Sequence, residues 1–266
     1  MKIGLAPFTI RHNVFNKETT REAYAKLKNL GFDGLENGLA SRGGLTLEED
    51  LAEHEKYGFT ICDIWGDPND VEGTISRAKA YNTKYICVGT MPGDMMLNAD
   101  GFKAYAEWIN EKSKPFAKEG YKLSYHNHAQ EFRNFDYLSG KTGYEILLEE
   151  TDPEGVVFVL DVFWATAAGG DPAYWLRKIK NRTSPVVHFK EYAIDDRSYD
   201  TGIGNIPWRF AEIGQGNINW KAVLEACKEI GIEWYCIEQD FCRKDAFISL
   251  KTSIDYMRNV LNIAIP

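Results

Sequence analysis

Two short strings, Tyr125-His126-Asn127-His128-Ala129-Gln130-Glu131-Phe132 and Ile237-Glu238-Gln239-Asp240, hold the side chains with the clearest chemical potential. Three of the five histidines, His126, His128 and His188, fall within two short apolar runs. Imidazole and carboxylate together suit a divalent ion such as Zn²⁺ or Mn²⁺. Other acids and bases also end apolar runs: Glu36 after Gly34-Leu35, Asp161 after Val156–Leu160, His188 after Pro185-Val186-Val187, and Glu238 after Cys236-Ile237. A carboxylate that follows five apolar residues directly must be paired, hydrogen-bonded or metal-bound, because isolated burial of its charge costs several kcal/mol. Lys190 lies two residues beyond His188, on the same face of an extended segment, where it can hold a sugar oxygen or phosphate. Trp65 and Trp164 also follow apolar runs; they offer flat platforms for a ring, with rim packing as the other role open to them.

Strands and helices alternate along the chain in a way that would position these groups. Strands are expected at 2–6, 34–36, 59–65, 85–88, 122–126, 156–160, 186–190 and 234–237. Helices are expected at 18–30, 45–57, 71–81 (with Pro68 where a helix begins), 101–118, 144–150, 172–179, 220–230 and 247–261. Gly31, Gly58, Gly120 and Gly231 supply the stops. Strands as apolar as Val156–Leu160 are those covered on both faces. Eight such units predict a closed (β/α)8 TIM barrel, with the polar strand ends gathered at its C-terminal mouth. A dinucleotide-binding sheet is disfavoured, since no G-x-G-x-x-G follows the first strand. The stretch 191–216, rich in Gly and Asp, reads as irregular and placed to cover the mouth.

Bulk properties agree with one domain over residues 1–266, close to the roughly 250 residues of such a barrel. The chain is 44% hydrophobic, enough for a large core. Its 31 Lys+Arg against 39 Asp+Glu give a net charge of −8, which disfavours a nucleic-acid backbone as partner. No apolar run is long enough to span a membrane, and no export signal is legible at the start. The five cysteines show no C-x-x-C pair and read as reduced, structural thiols. The expected location is cytoplasmic, although a trimmed export signal would leave no trace; an oligomer is left open.

The order Asp161, His188 within His-Phe-Lys-Glu, and a terminal Ile-Glu238 resembles the xylose isomerase-like barrel superfamily of sugar isomerases and epimerases, which also includes the endonuclease IV branch of DNA repair. Gly31-Phe32-Asp33-Gly34-Leu35-Glu36, Leu160-Asp161-Val162-Phe163-Trp164 and Ile213–Trp220 extend the resemblance over nearly the whole chain. The Y-H-N-H-x-x-E-F and I-E-Q-D strings point to a subgroup labelled sugar phosphate isomerase/epimerase. The resemblance implies a divalent ion held by Asp161, His188 and Glu238. The superfamily's remaining ligand, a glutamate on strand five, has no clean counterpart: His126 stands in its place and Glu131 follows five residues on. The expected ligand set is therefore His126, Asp161, His188 and Glu238, with Glu131 as the other strand-five candidate. The ion expected is Mn²⁺ or Zn²⁺, with Mg²⁺ and Co²⁺ also compatible.

The chemistry implied is proton abstraction beside a carbonyl, with Glu238 as base and Glu131 or His128 as the second acid–base group. Lys190, Trp65, Trp164 and Glu36 are the expected substrate-binding residues, and the substrate a small carbohydrate. A lyase or hydratase acting on a 3-keto-glycoside would use the same site, and a non-catalytic sugar-binding barrel is the reading if strand five holds no metal. A DNA-repair nuclease is disfavoured by the small number of histidines and the acidic balance.

Overall fold

The computed structural model describes residues 1–136, 140–195 and 208–263. Barrel strand one is Lys2–Leu5 and strand two Gly34–Leu35; strand three comes in two pieces, Thr60–Ile61 and Ile64–Trp65. Strands four to eight are Tyr85–Cys87, Lys122–His126, Val156–Asp161, Thr183–Phe189 and Trp234–Ile237. All neighbouring pairs are parallel, and the order runs from the first piece of strand three through strands two, one, eight, seven, six, five and four to the second piece of strand three. The sheet therefore closes on itself across Cys62-Asp63, the expected α/β barrel. Strand three, read from the sequence as continuous over 59–65, is interrupted at that junction.

Local sequence explains most helix ends. Asn16 caps the helix Lys17–Leu30 by accepting from Thr19 N–H, and Gly31 ends it at φ 91°. Thr46 and Glu49 form a capping box for Leu47–Tyr57, so this helix begins two residues later than expected. Pro68 does not open the next helix: Asp70 accepts from Gly73 N–H and sets the start of Val71–Ala80. The long helix Ala99–Lys118 carries Pro115 within its last turn.

The stretch 191–216 is less irregular than expected. Glu191–Ile194 pairs antiparallel with Trp208–Ala211, and the Glu191 carboxylate accepts from the backbone N–H of Gly214 (2.8 Å) and Ile218 (3.2 Å). Residues 196–207 of the expected cover lie outside the described residues. Among the described residues no helix is long and apolar enough to cross a membrane.

Inside the barrel, Cys62, Val159, Val186, Trp234 and Cys236 form a buried plug below the polar mouth. Gly34 and Gly4 make room for it. A Cβ on Gly34 would strike the Thr60 carbonyl and lie 3.0 Å from the Trp234 ring, and one on Gly4 would lie 2.6 Å from Cys236 Sγ. The interior is thus a packed core rather than a pore. All five cysteines are free, with Cys62 Sγ and Cys236 Sγ 3.4 Å apart.

Candidate metal centre

Strand alternation delivers four side chains to one point just above the plug. His126 ends strand five, Asp161 ends strand six, His188 lies one residue from the end of strand seven, and Glu238 follows strand eight directly. One ligand atom from each of these four buried residues lies within 4.8 Å of all the others. His188 Nδ1 is 3.0 Å from Glu238 Oε2 and 3.1 Å from His126 Nε2, which is itself 3.4 Å from Asp161 Oδ2. Ligand atoms bound to one ion at about 2.0–2.2 Å stand at comparable separations.

Asp161 divides its labour. Its Oδ1 accepts from Phe163 N–H (2.8 Å) and Trp164 N–H (3.1 Å), capping the short helix Val162–Ala167. Its Oδ2 is buried, has no hydrogen-bond partner among the described residues, and faces the cluster. Oδ2 stands 3.4 Å from both His126 Nε2 and Lys190 Nζ, and a positive charge closer in would complete it. Two imidazoles and two carboxylates are a borderline donor set that suits first-row divalent ions, so the residues present fit such an ion.

The groups around the four reinforce the arrangement. Lys190 Nζ lies 3.1 Å from Glu238, 2.8 Å from Asp240 and 3.4 Å from Asp161. Burial would lower its pKa, but these carboxylates outweigh it and raise the value. Burial would likewise lift Glu238, yet Lys190 and His188 hold it well below the usual carboxylate range. Burial would lower His188; Glu36 and Glu238 instead raise it well above its ordinary value. Glu36 Oε1 is 2.9 Å from His188 Nε2, on the ring edge opposite the cluster, the arrangement that orients a histidine ligand through its second nitrogen.

The other expected site residues take several positions. His128 lines the cavity above the cluster, with Nδ1 2.7 Å from the Thr90 hydroxyl. Burial, helped by His126, pushes its pKa down to about 4, which leaves a neutral imidazole at pH 7. Trp65 lines the same cavity, its ring 5.9 Å from that of His126. Trp164 stands over His128 (5.3 Å between ring centres) and Lys190 (5.1 Å) and packs into an aromatic group with Phe163 and Phe210. Glu36 reaches the cavity but is only 2% exposed and is engaged by His188.

Glu131 is not brought to the cluster. It is fully buried, accepts from the Tyr125 hydroxyl at 2.6 Å and from His128 N–H at 3.0 Å, and takes no part in lining the cavity. Tyr125 is the outward neighbour of His126 on strand five, and its ring packs against Tyr105 of the helix layer. Glu131 therefore braces the back of strand five, and His126 holds the strand-five place in the cluster.

Two contributors were not apparent from sequence. Asp63, fully buried at the break in strand three, has Oδ2 without a hydrogen-bond partner. Burial, with the Glu36 carboxylate nearby, pushes it well above the usual range. A lone acid inside the apolar run 59–65 was the available signal. Asn127 locks strands five and six together, accepting from Asp161 N–H (3.0 Å) and donating to Asp161 O (3.3 Å).

Comparison with known proteins bears on the whole arrangement. Residues 24–260 match the family model described as xylose isomerase-like TIM barrel. An uncharacterized protein, MJ1311 of Methanocaldococcus jannaschii, is 29% identical over 129 residues, a match that spans 48% of this chain and only 41% of that relative. Among solved structures, a sugar phosphate isomerase/epimerase from Parabacteroides distasonis superposes with a TM-score of 0.74 at 20% identity, covering 98% of this chain and 99% of that one. The IolI protein with a bound zinc atom superposes with a TM-score of 0.71 at 18% identity, covering 98% of each chain.

Proposed function

From the chain's membership of the xylose isomerase-like TIM barrel family, we propose that it is a divalent-metal-dependent enzyme that isomerises or epimerises a sugar by moving a proton at a carbon beside a carbonyl. The observation that carries this reading is the buried convergence of His126, Asp161, His188 and Glu238, with Asp161 Oδ2 turned into it. These four residues would hold the ion. Its contribution when bound is Lewis-acid polarisation of the substrate carbonyl. The rest falls to the protein. Glu238, kept ionised by Lys190 and His188, accepts the proton from carbon. Neutral His128, anchored by Thr90 and lining the same cavity, is the second group able to take or return a proton. Lys190 balances the charge of Glu238, Asp161 and Asp240 and keeps them in register. Trp65 gives the ring of the substrate an apolar wall.

Solvent exchange tests the reading. Protein loaded with Mn²⁺ or Zn²⁺ in D₂O should place deuterium at the carbon next to the carbonyl of a keto-sugar, with no other change in mass. Glu238→Gln should slow this by about 10² or more, the usual worth of a general base. Exchange that continues unchanged in Glu238→Gln with metal bound moves the base elsewhere, and His128 is next to test. Release of water or an aglycone together with exchange would mark a lyase. Metal-loaded protein that exchanges no keto-sugar at all would favour a binding protein.

A further inference from the structure

The cavity above the cluster has two ends of opposite character. It has a volume of about 670 Å³, within the range of sites that enclose small organic ligands. Its floor carries the carboxylates of Glu36, paired with His188, and of Glu238 and Asp240, paired with Lys190. Its rim, on the side of strands two and three, is cationic. Arg42 and Arg77 line it together with Ser41 and Asn37.

Neither arginine is paired with a carboxylate among the described residues. Arg42 makes no hydrogen bond or ion pair through its side chain among the described residues; its guanidinium only stands 5.5 Å from the Phe8 ring. Arg11 stacks on the same ring at 3.9 Å and donates to the carbonyls of Phe8 and Asp240, not to a carboxylate. Partial burial, and Arg11 alongside, lower the pKa of Arg42. Arg77 donates to the Trp65 carbonyl, while its Nε is buried without a partner among the described residues. The carbonyl of Asn37 accepts from Trp65 N–H at 2.9 Å, which leaves its amide N–H groups as further donors. In a chain with a net charge of −8, cations crowded together without acids are out of character unless a ligand supplies the negative charge.

We propose that Arg42 and Arg77, with Ser41 and Asn37, form a subsite for an anionic substituent, a phosphate or carboxylate, at the end of the substrate remote from the reacting carbonyl. The substrate class is then an anionic sugar rather than a neutral one, an inference that rests on the sugar-isomerase reading above. The two ends favour one orientation: the arginines of the rim can pair with an anionic group, which leaves the carbonyl end to meet Glu238.

Titration calorimetry of the full chain at constant ionic strength, with and without added Mn²⁺, tests this without knowing the substrate. The probes are inorganic phosphate and acetate, followed by D-fructose, D-fructose 6-phosphate and D-glucuronate. Saturable binding of an anionic probe should weaken by about tenfold or more in Arg42→Ala, the usual worth of a charge-assisted hydrogen bond, and should vanish in Arg42→Glu. Arg42 is exposed and makes no hydrogen bond through its side chain, so these variants keep the fold. A preference for the phosphate probes or for the carboxylate probes identifies the substituent. Wild-type protein that binds neither anion, or binds it equally well in Arg42→Glu, overturns the subsite. The outcomes separate from those of the activity test. Arg42-dependent anion binding without solvent exchange would keep the subsite and remove the isomerase, whereas exchange with neutral keto-sugars but no anion binding would do the reverse.

Discussion

Replacing Asp161 separates its two oxygens and so isolates the proposed metal site. Oδ1 caps a helix through Phe163 and Trp164, and Oδ2 points into the cluster without a hydrogen bond. Asp161→Asn keeps an oxygen for the cap, since asparagine caps as well as aspartate, and puts an amide where Oδ2 was. Asp161→Ala removes both. At an ion concentration about 100 times Kd, binding to the wild type adds about 2.7 kcal/mol. For a chain of this size that is a rise in Tm of roughly 5–10 °C. Loss of a residue that merely supports a ligand costs about 10–100-fold in affinity, so loss of a ligand should reach at least about 100-fold. At the same ion concentration the gain then falls to about 0.4 kcal/mol, or roughly 1 °C. In metal-free protein the order differs: Asp161→Ala should melt about 2–4 °C below Asp161→Asn, from a lost cap worth about 1 kcal/mol. The assay is a thermal melt of the three proteins with EDTA and with a series of Mn²⁺ or Zn²⁺ concentrations, checked by elemental analysis. If Asp161→Asn keeps the full metal-dependent rise, Oδ2 is not a ligand and the four-residue centre is wrong.

Two further substitutions test neighbouring parts of the argument. Glu131→Gln should leave solvent exchange within about threefold of wild type while lowering stability by about 1–2 kcal/mol, because its carboxylate braces Tyr125 and His128 N–H rather than the substrate; a loss of exchange as large as that of Glu238→Gln would return Glu131 to the chemistry. Gly34→Ala drives a methyl into the Thr60 carbonyl and against Trp234, so a cost near 3 kcal/mol and a fall in Tm of roughly 6–12 °C are expected by thermal melt, and an unchanged Tm would contradict the tight closure described for strands two and three.

The barrel was legible because its strands are short apolar runs punctuated by glycine stops, and the residues that end those runs had to sit at one mouth. Asp161, His188 and Glu238 were readable for that reason: a charged group placed straight after apolar residues needs a partner. What sequence reasoning missed has definite causes. Asp63 was hidden because strand three was read straight through, and a break between two pieces of one strand has no local signal as clear as Gly or Pro. Glu131 was credited with chemistry on nearness in sequence to His126, but the chain turns behind strand five and hands it to outward-facing Tyr125. Pro68 resembled a helix start, yet Asp70 with its side chain on Gly73 N–H is the stronger signal. Arg42 and Arg77 lie on separate helices, well past the strand ends in sequence, and only the folding of the chain shows that they line one cavity with residues of the cluster.

The plug of Trp234, Val186, Val159, Cys62 and Cys236 beneath the cluster has a kinetic consequence. With the lower end of the barrel filled, the cation and sugar of the proposed function would share a single doorway. Loading would then follow a compulsory sequence, ion before sugar, with a seated sugar standing between the ion and bulk water. Saturating sugar should therefore slow removal of the ion by a chelator, and the rate of chelator stripping becomes a gauge of how fully the doorway is occupied.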